Sequence, residues 1–257
     1  MKYSVIGTGN TAWFIAKKMY DAGHQCTAIY GRDGDKTTAL ANTVSGTAKL
    51  IQDGVADDVD VCIIAISDNA IAEVCKYISL TKTLLLHTAG AVSIEVLQEA
   101  AINYGVLWPI YSIVKNNLPD TRNIPTVFET NTVNNIPLLS AVAQSFTDIL
   151  YEADSDKRKT LHVAAVFSNN FTNHLFSIAK RICEEKELPF ALLLPIIQQT
   201  VSRIENTSPE LLQTGPAKRG DIVTQTKHLQ LLQNNENWGE VYKAISASIA
   251  AMYKQKD

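Results

Sequence analysis

Paired cysteines, long apolar runs and an excess of charge of either sign are what this 257-residue chain lacks. Lys and Arg number 23 against 26 Asp and Glu, a formal net charge of −3. That balance leaves no basic footprint for nucleic acid and no cationic face for a membrane surface. No apolar run approaches the ~20 residues of a membrane span. The four cysteines, Cys26, Cys62, Cys75 and Cys183, are scattered without C-x-x-C spacing in largely apolar segments. They read as reduced core residues of a cytoplasmic protein and not as metal ligands, so no metal site is expected. The N-terminus enters a core strand at once, so no signal peptide is expected either. No internal repeat or low-complexity stretch interrupts the chain. What is left is the profile of a soluble enzyme of one large or two modest domains.

The informative stretch is Lys2 to Arg32. Tyr3-Ser4-Val5-Ile6 is short and largely apolar, as a buried parallel strand should be. Thr11 to Asp21 forms helix readily, and Gly23 closes it. Between them lies Gly7-Thr8-Gly9-Asn10-Thr11-Ala12, a G-x-G-x-x-A turn in strand-to-helix context. In such a turn Gly7 makes the tight bend, Gly9 admits a pyrophosphate close to the backbone, and Ala12 lets helix and strand pack. The free amides and positive dipole of the helix start hold the phosphates. The second strand, Gln25 to Tyr30, refines the nucleotide. A site for NAD usually carries Asp or Glu at its end, bonded to the ribose 2′-hydroxyl. Here the chain reads Ile29-Tyr30-Gly31-Arg32, with no acid and an Arg directly beyond. A guanidinium suits a 2′-phosphate, and Lys36 offers a second positive charge. The expected cofactor is NADP(H).

The rest of the first half alternates strand and helix. A helix is expected over Lys36–Val44, a strand near Thr47–Ile51, and a central strand over Val61–Ile66. Asp68 would cap a helix over Asn69–Tyr77. Ala65, Ile66 and Ser67 end the central strand and should bed the ribose and nicotinamide side of the cofactor. The strand Thr83–Leu86 runs into His87-Thr88-Ala89-Gly90, and Thr88 joins the cofactor set. Ser93 caps a helix expected to reach about Tyr104. Strands at Val106-Leu107, Thr126–Glu129 and Ile149–Tyr151, with a helix over about Asn135–Phe146, complete an α/β Rossmann dinucleotide-binding domain over residues 1–153. From Asp154 every segment carries helical periodicity, giving an all-α domain over 154–257. Its helices are expected at Lys157–Lys186, Pro189–Ile204 with a kink at Pro195, Pro209–Gln213, Ile222–Gln233 and Trp238–Tyr253.

These landmarks occur in a telling order. The fingerprint, Ile66-Ser67-Asp68 and His87-Thr88-Ala89-Gly90 precede Trp108-Pro109. Then come Leu161-His162-Val163-Ala164-Ala165-Val166-Phe167-Ser168-Asn169-Asn170-Phe171 and Thr214-Gly215-Pro216-Ala217-Lys218-Arg219-Gly220-Asp221. Over nearly the whole chain the set resembles the Rossmann-like NADP oxidoreductases that carry a small helical C-terminal domain of unknown function. That group is similar to pyrroline-5-carboxylate reductase and the 6-phosphogluconate dehydrogenase superfamily. The resemblance implies a 6-phosphogluconate-dehydrogenase-like helical domain, a nicotinamide cofactor and a homodimer formed through that domain. It does not supply a substrate.

By helical spacing His162, Asn169 and Asn173 share one face, with Asn170 and His174 on an adjoining stripe. The resemblance sets this helix across an interdomain cleft from the nicotinamide. His162, Asn169, Asn170 and His87 are therefore the candidate catalytic residues, an amide polarising the acceptor and an imidazole giving the proton. Satisfying loops or a subunit interface is the other role open to the helix residues. His87 could equally hold the Thr88-Ala89-Gly90 turn by backbone hydrogen bonds. Hydroxyacid dehydrogenases of the superfamily place a Lys four residues before an Asn on this helix; Ala165 and Val166 stand at those positions here. Arg219 reads either as a clamp for an anionic substrate or as a pin paired to Asp221. The leading expectation is an NADP(H)-dependent oxidoreductase reducing a small C=O or C=N substrate. A non-catalytic NADP(H)-binding or regulatory protein, and a reductase using another redox nucleotide such as a deazaflavin, are the alternatives.

Overall fold

The computed structural model describes residues 1–253, and the chain divides into two compact units, Met1–Ser168 and the residues from Asn169 on. The first is built on an eight-stranded sheet. Its strands are β1 (Lys2–Ile6), β2 (Gln25–Gly31), β3 (Thr47–Leu50), β4 (Val61–Ile64), β5 (Leu80–His87), β6 (Ala101–Pro109), β7 (Thr126–Thr130) and β8 (Leu150–Glu152), in the spatial order 3-2-1-4-5-6-7-8. All neighbours run parallel except β6 and β7. The apolar runs behave as strands buried on both faces must. Val5, Ile63 and Leu86 enter one core with α1 (Asn10–Asp21), α2 (Gly34–Thr43) and α4 (Ile136–Ala143). Ile6, Ile64 and Leu85, one residue along each strand, enter a second core on the opposite face with Ile71 of α3 (Ile71–Cys75). Helices on both faces make this the expected doubly wound α/β fold. At the strand starts, the Asp57 carboxylate accepts the amides of Thr81, Lys82 and Thr83. Although its partial burial pushes the other way, bonds from Thr81 and Thr83 hold that carboxyl well below the usual carboxylate range.

Several local expectations are corrected. No helix runs from Ser93 to Tyr104. Ser93 does accept the Glu95 amide, but only a 3₁₀ turn, Ile94–Leu97, follows. From Ala101 the chain pairs along β5, with Asn103 opposite Leu84 and Tyr104 opposite Leu85. Ladder formation overrides the local helix start there. The helix expected from Asn69 shortens to α3, entered through a 3₁₀ turn at Asp68–Ala70 in which no side chain caps the start.

The segment expected as one helix from Lys157 to Lys186 is α5 (Ser155–Ala165), a π turn (Val166–Phe171) and α6 (Thr172–Glu184). A π turn holds more residues than an α turn, so the count that aligned His162 with Asn169 and Asn173 no longer applies. Pro195 does not kink a helix; it sits in the first turn of α7 (Leu194–Arg203), where its missing N–H costs nothing. Beyond lie α8 (Pro209–Leu212), α9 (Pro216–Arg219), α10 (Ile222–Leu231) and α11 (Glu236–Tyr253). The single turn α9 falls between two of the expected helices, Pro209–Gln213 and Ile222–Gln233. Gly215 and Gly220, both at positive φ, bracket it. Among the described residues from Asn169 on, only Ala217 and Gly239 are buried.

Candidate functional site

Where β1 and β4 lie side by side, the strand order reverses and the connections from their carboxyl ends run to opposite sides of the sheet's midline. Open α/β sheets bind ligands at such a point. A groove of about 510 Å³ occupies it. Gly7 closes β1 at φ +125°, a conformation that L side chains rarely adopt, and donates its amide to Tyr30 O at 2.8 Å. A Cβ here would also collide with Ala65 O. Gly9 caps α1 with extended backbone, and nothing lies within 4 Å of where its Cβ would be, so the space before it is open. The first-turn amides of α1 have no carbonyl a turn earlier, and no acidic residue sits in that turn to neutralise the dipole. Ala12 is fully buried beneath, in the core between helix and sheet.

Of the residues expected to meet the cofactor, Gly7, Thr8, Gly9, Asn10, Thr11, Arg32, Ala65, Ile66 and Ser67 line the groove. Ala12 supports it from below. Thr88 does not line it; its hydroxyl donates to Ile64 O at 3.3 Å. The sequence reading missed part of the wall, namely Ile51 and Gln52 after β3, and Ala70, Glu73, Val74 and Tyr77 on and beside α3. No local motif marks them; only the sheet order makes them neighbours of Gly31. At the far end of the groove Arg32 stands exposed. Lys36 pairs with Asp33 at 2.9 Å, and Asp33 caps α2 through the Lys36 amide. The Asp33 carboxylate thus has Lys36 as its salt-bridge partner.

Beyond β5 the chain turns through Thr88–Val92, and this loop is wired from two sides. His87 is wholly buried and its Nδ1 accepts the Ala89 amide at 3.1 Å. Of the two roles open to His87, this is the turn-holding one. Burial, then the nearby Arg158 charge, push its imidazole down to about 3, so the ring is neutral at physiological pH. Arg158 of α5 is also wholly buried. Its Nη1 donates to the carbonyls of Ala89, Gly90 and Val92 at 3.0, 3.1 and 2.6 Å. Its Nη2 reaches Glu129 Oε2 at 2.9 Å and Ser155 Oγ at 3.0 Å. Gly90 is pressed so closely that a Cβ would stand 2.6 Å from His162 Cδ2 and 2.7 Å from Trp108 Cε2. The His162 ring lies tilted against Trp108 with centroids 5.6 Å apart. His162, half-buried, thus borders the loop after β5, and Asn169 and Asn170 sit in the π turn, both exposed.

Arg158 was not among the sequence candidates. Flanked by Lys157 and Lys159, it reads as one charge in a solvated run. Among the described residues no group of three or more His, Cys, Asp or Glu side chains could hold a metal ion. Asp221 caps α10 by accepting the Thr224 amide, and that bond, with the nearby Arg219 charge a smaller contribution, holds its carboxyl low. Within the helical unit, His228 Nδ1 and Tyr242 Oη pair at 2.9 Å beside an apolar cavity of about 320 Å³.

Residues 2–90 match the family described as NADP oxidoreductase, coenzyme F420-dependent. Residues 124–249 match a domain of unknown function, DUF2520. The solved structure of BF3122 from Bacteroides fragilis, provisionally named an NADP oxidoreductase, shares 30% identity over 97% of this chain and 98% of that one, with a TM-score of 0.89. Pyrroline-5-carboxylate reductase from Streptococcus pyogenes is 17% identical over 98% of both chains, TM-score 0.63. A reductive aminase from Aspergillus terreus, solved with NADPH and ethyl-5-oxohexanoate, is 15% identical over 96% of this chain and 92% of that one, TM-score 0.70. No curated protein matches the chain.

Proposed function

The chain belongs to the NADP oxidoreductase family that joins a Rossmann domain to this helical domain, and from that premise we propose that it is an NADPH-dependent reductase of a small C=O or C=N compound. One observation carries the reading. The groove at the β1/β4 switch point combines an uncapped helix start for the pyrophosphate with Gly31 where an acid would select NAD, and Arg32 beside it. Gly7 to Thr11 would hold the pyrophosphate, Ala65 to Ser67 the ribose beyond it, and Arg32 with Lys36 the 2′-phosphate. When bound, the nicotinamide supplies the hydride. The protein's part is then to polarise the acceptor and deliver one proton. We assign the proton to His162, which is half-buried beside the loop after β5, in preference to His87, which is sealed and neutral. Asn169 and Asn170 are assigned as amide donors to the acceptor.

We also propose a homodimer formed through the helical unit, because so few of its residues are buried in one chain. A cytoplasmic home fits four cysteines that are all free.

The test is direct. NADPH and NADH are titrated, and NADPH oxidation is followed with a panel of cyclic imines and oxo acids. His162→Ala and Asn170→Ala should leave NADPH affinity nearly intact while slowing turnover by about 10²–10³. Two other readings have specific support. With Ala165 and Val166 where hydroxyacid dehydrogenases of the superfamily place a lysine, and His87 neutral, a nucleotide-binding protein without turnover is the second; it predicts tight NADPH and no oxidation on any acceptor. The description of the family matched by residues 2–90 names coenzyme F420, so a deazaflavin is the third; tighter binding of F420 than of NADPH would establish it.

A further inference from the structure

We propose that Gly31 and Thr37 form a steric lock that sets the nucleotide choice of the groove by exclusion. The inference rests on the NADP(H) reading above and names the residue that enforces it. Gly31 is the last residue of β2, the position from which a carboxylate would reach an unphosphorylated ribose. Its backbone does not call for glycine: it is absent from the positive-φ positions, unlike Gly7, Gly23 and Gly54. Space is what calls for it. A Cβ on Gly31 would come under 3.0 Å from Thr37 Oγ1, and would stand 3.3 Å from both Thr37 Cβ and Thr8 Cγ2. Such an approach is closed to real carbon atoms unless the neighbour moves.

Thr37 is not free to move. It is 1% exposed, and its hydroxyl donates to the Asp33 carbonyl. Turning the side chain away would leave a buried hydroxyl without its acceptor. Asp33 is itself held, since its carboxylate caps α2 and pairs with Lys36. One threonine therefore fills the volume a carboxylate stem would need and braces the Gly31–Asp33 turn that presents Arg32 to the groove. Attraction by Arg32 and exclusion by Thr37 are separate devices. Removing Arg32 weakens the phosphorylated nucleotide without creating a grip on the other one.

Thermal melts and nucleotide titrations test the two halves independently. Gly31→Ala should lower Tm by roughly 3–10 °C through overpacking. Adding Thr37→Ala should lower it no further, although Thr37→Ala alone lowers it, so the two losses couple. In titrations, Gly31→Asp should gain no affinity for NADH. Gly31→Asp/Thr37→Ala should bind NADH about tenfold more tightly than wild type and NADPH about tenfold more weakly. Strictly additive melting losses, or a Gly31→Ala protein melting with wild type, would overturn the lock. So would a Gly31→Asp protein that gains NADH as well as the double variant does, or a folded double variant that gains none. Equal affinity of wild type for NADH and NADPH would instead overturn the cofactor reading, and the melting pair does not depend on it.

Discussion

Between Met1 and Ser168, apolar side chains fill two layers, one on each face of the sheet, and Phe14 meets Phe146 edge-on at 5.3 Å. From Asn169 onward apolar residues are still plentiful, yet Leu211, Leu231 and Leu192 stand 77, 74 and 71% exposed. On α7, Leu194 and Val201 recur at helical spacing, and Ile204 at its C-cap extends them as one exposed stripe. A sheet can bury both its faces with helices from its own chain. These helices have stripes left over. Covering one such side chain stabilises by about 1.5–3 kcal/mol. The difference teaches that one unit is completed by its own sequence, whereas the other's apolar face suits a second copy.

The largest expected effect tests the self-sufficient side. Arg158→Met takes from three loop carbonyls their guanidinium donor and leaves Glu129 only the Ser155 hydroxyl, and breaking a buried pair of this kind costs about 3–5 kcal/mol. Urea unfolding should show that loss; a change below about 1 kcal/mol would mean that the loop after β5 stands without it. Next comes the other side of the comparison. Val201→Asp/Ile204→Asp should weaken dimer association on the order of 10²-fold, from about 3 kcal/mol of lost apolar burial. Sedimentation should then find monomer at concentrations where the proposed wild-type dimer holds together, with NADPH affinity unchanged. A double variant that stays dimeric would move the interface off α7.

Arg32→Ala should weaken NADPH by about 1.5–3 kcal/mol, tenfold or more, and leave NADH where it was. Parallel losses for both nucleotides would show Arg32 stacking on the adenine instead of holding a phosphate. The smallest effect is in the acid limb. His87 takes up its proton at lower pH folded than unfolded, so below the unfolded value near 6.5 the unfolded state binds more protons and stability falls as pH falls. About 2 kcal/mol should disappear between pH 6.5 and 5. His87→Asn should remove that slope; a slope unchanged in the variant would assign it to other groups.

Some of this was legible because it is local. Gly7 at positive φ, the uncapped start at Gly9 and Arg32 after β2 follow from turn chemistry and strand ends within one short stretch. The α/β-then-helical order was legible from periodicity. The reach of β6 back to Ala101 was not, because the same residues carry a helix start signal at Ser93 and only pairing with β5 decides against it. The π turn at Val166–Phe171 was equally hidden, since Val-Phe-Ser-Asn-Asn-Phe holds no Gly or Pro to set it apart from the α-helix on either side.

What the amino-acid sequence determined by itself is therefore the strand–glycine–helix unit, the missing acid beside Arg32 and the order of an α/β part followed by a helical one. Each depends on neighbours a few positions away, and backbone sterics act at that range. Tertiary structure alone decided the rest. Arg158 became a buried clamp because the Ala89 carbonyl, 69 positions earlier, arrives beside it. His87 became a neutral brace for the same reason. Gly31, which the sequence shows only as an absent acid, became a closed position because α2 folds back and lays Thr37 against it. Burial and charge depend on which side chains meet in space, and residues distant in sequence meet only once the sheet has set its order.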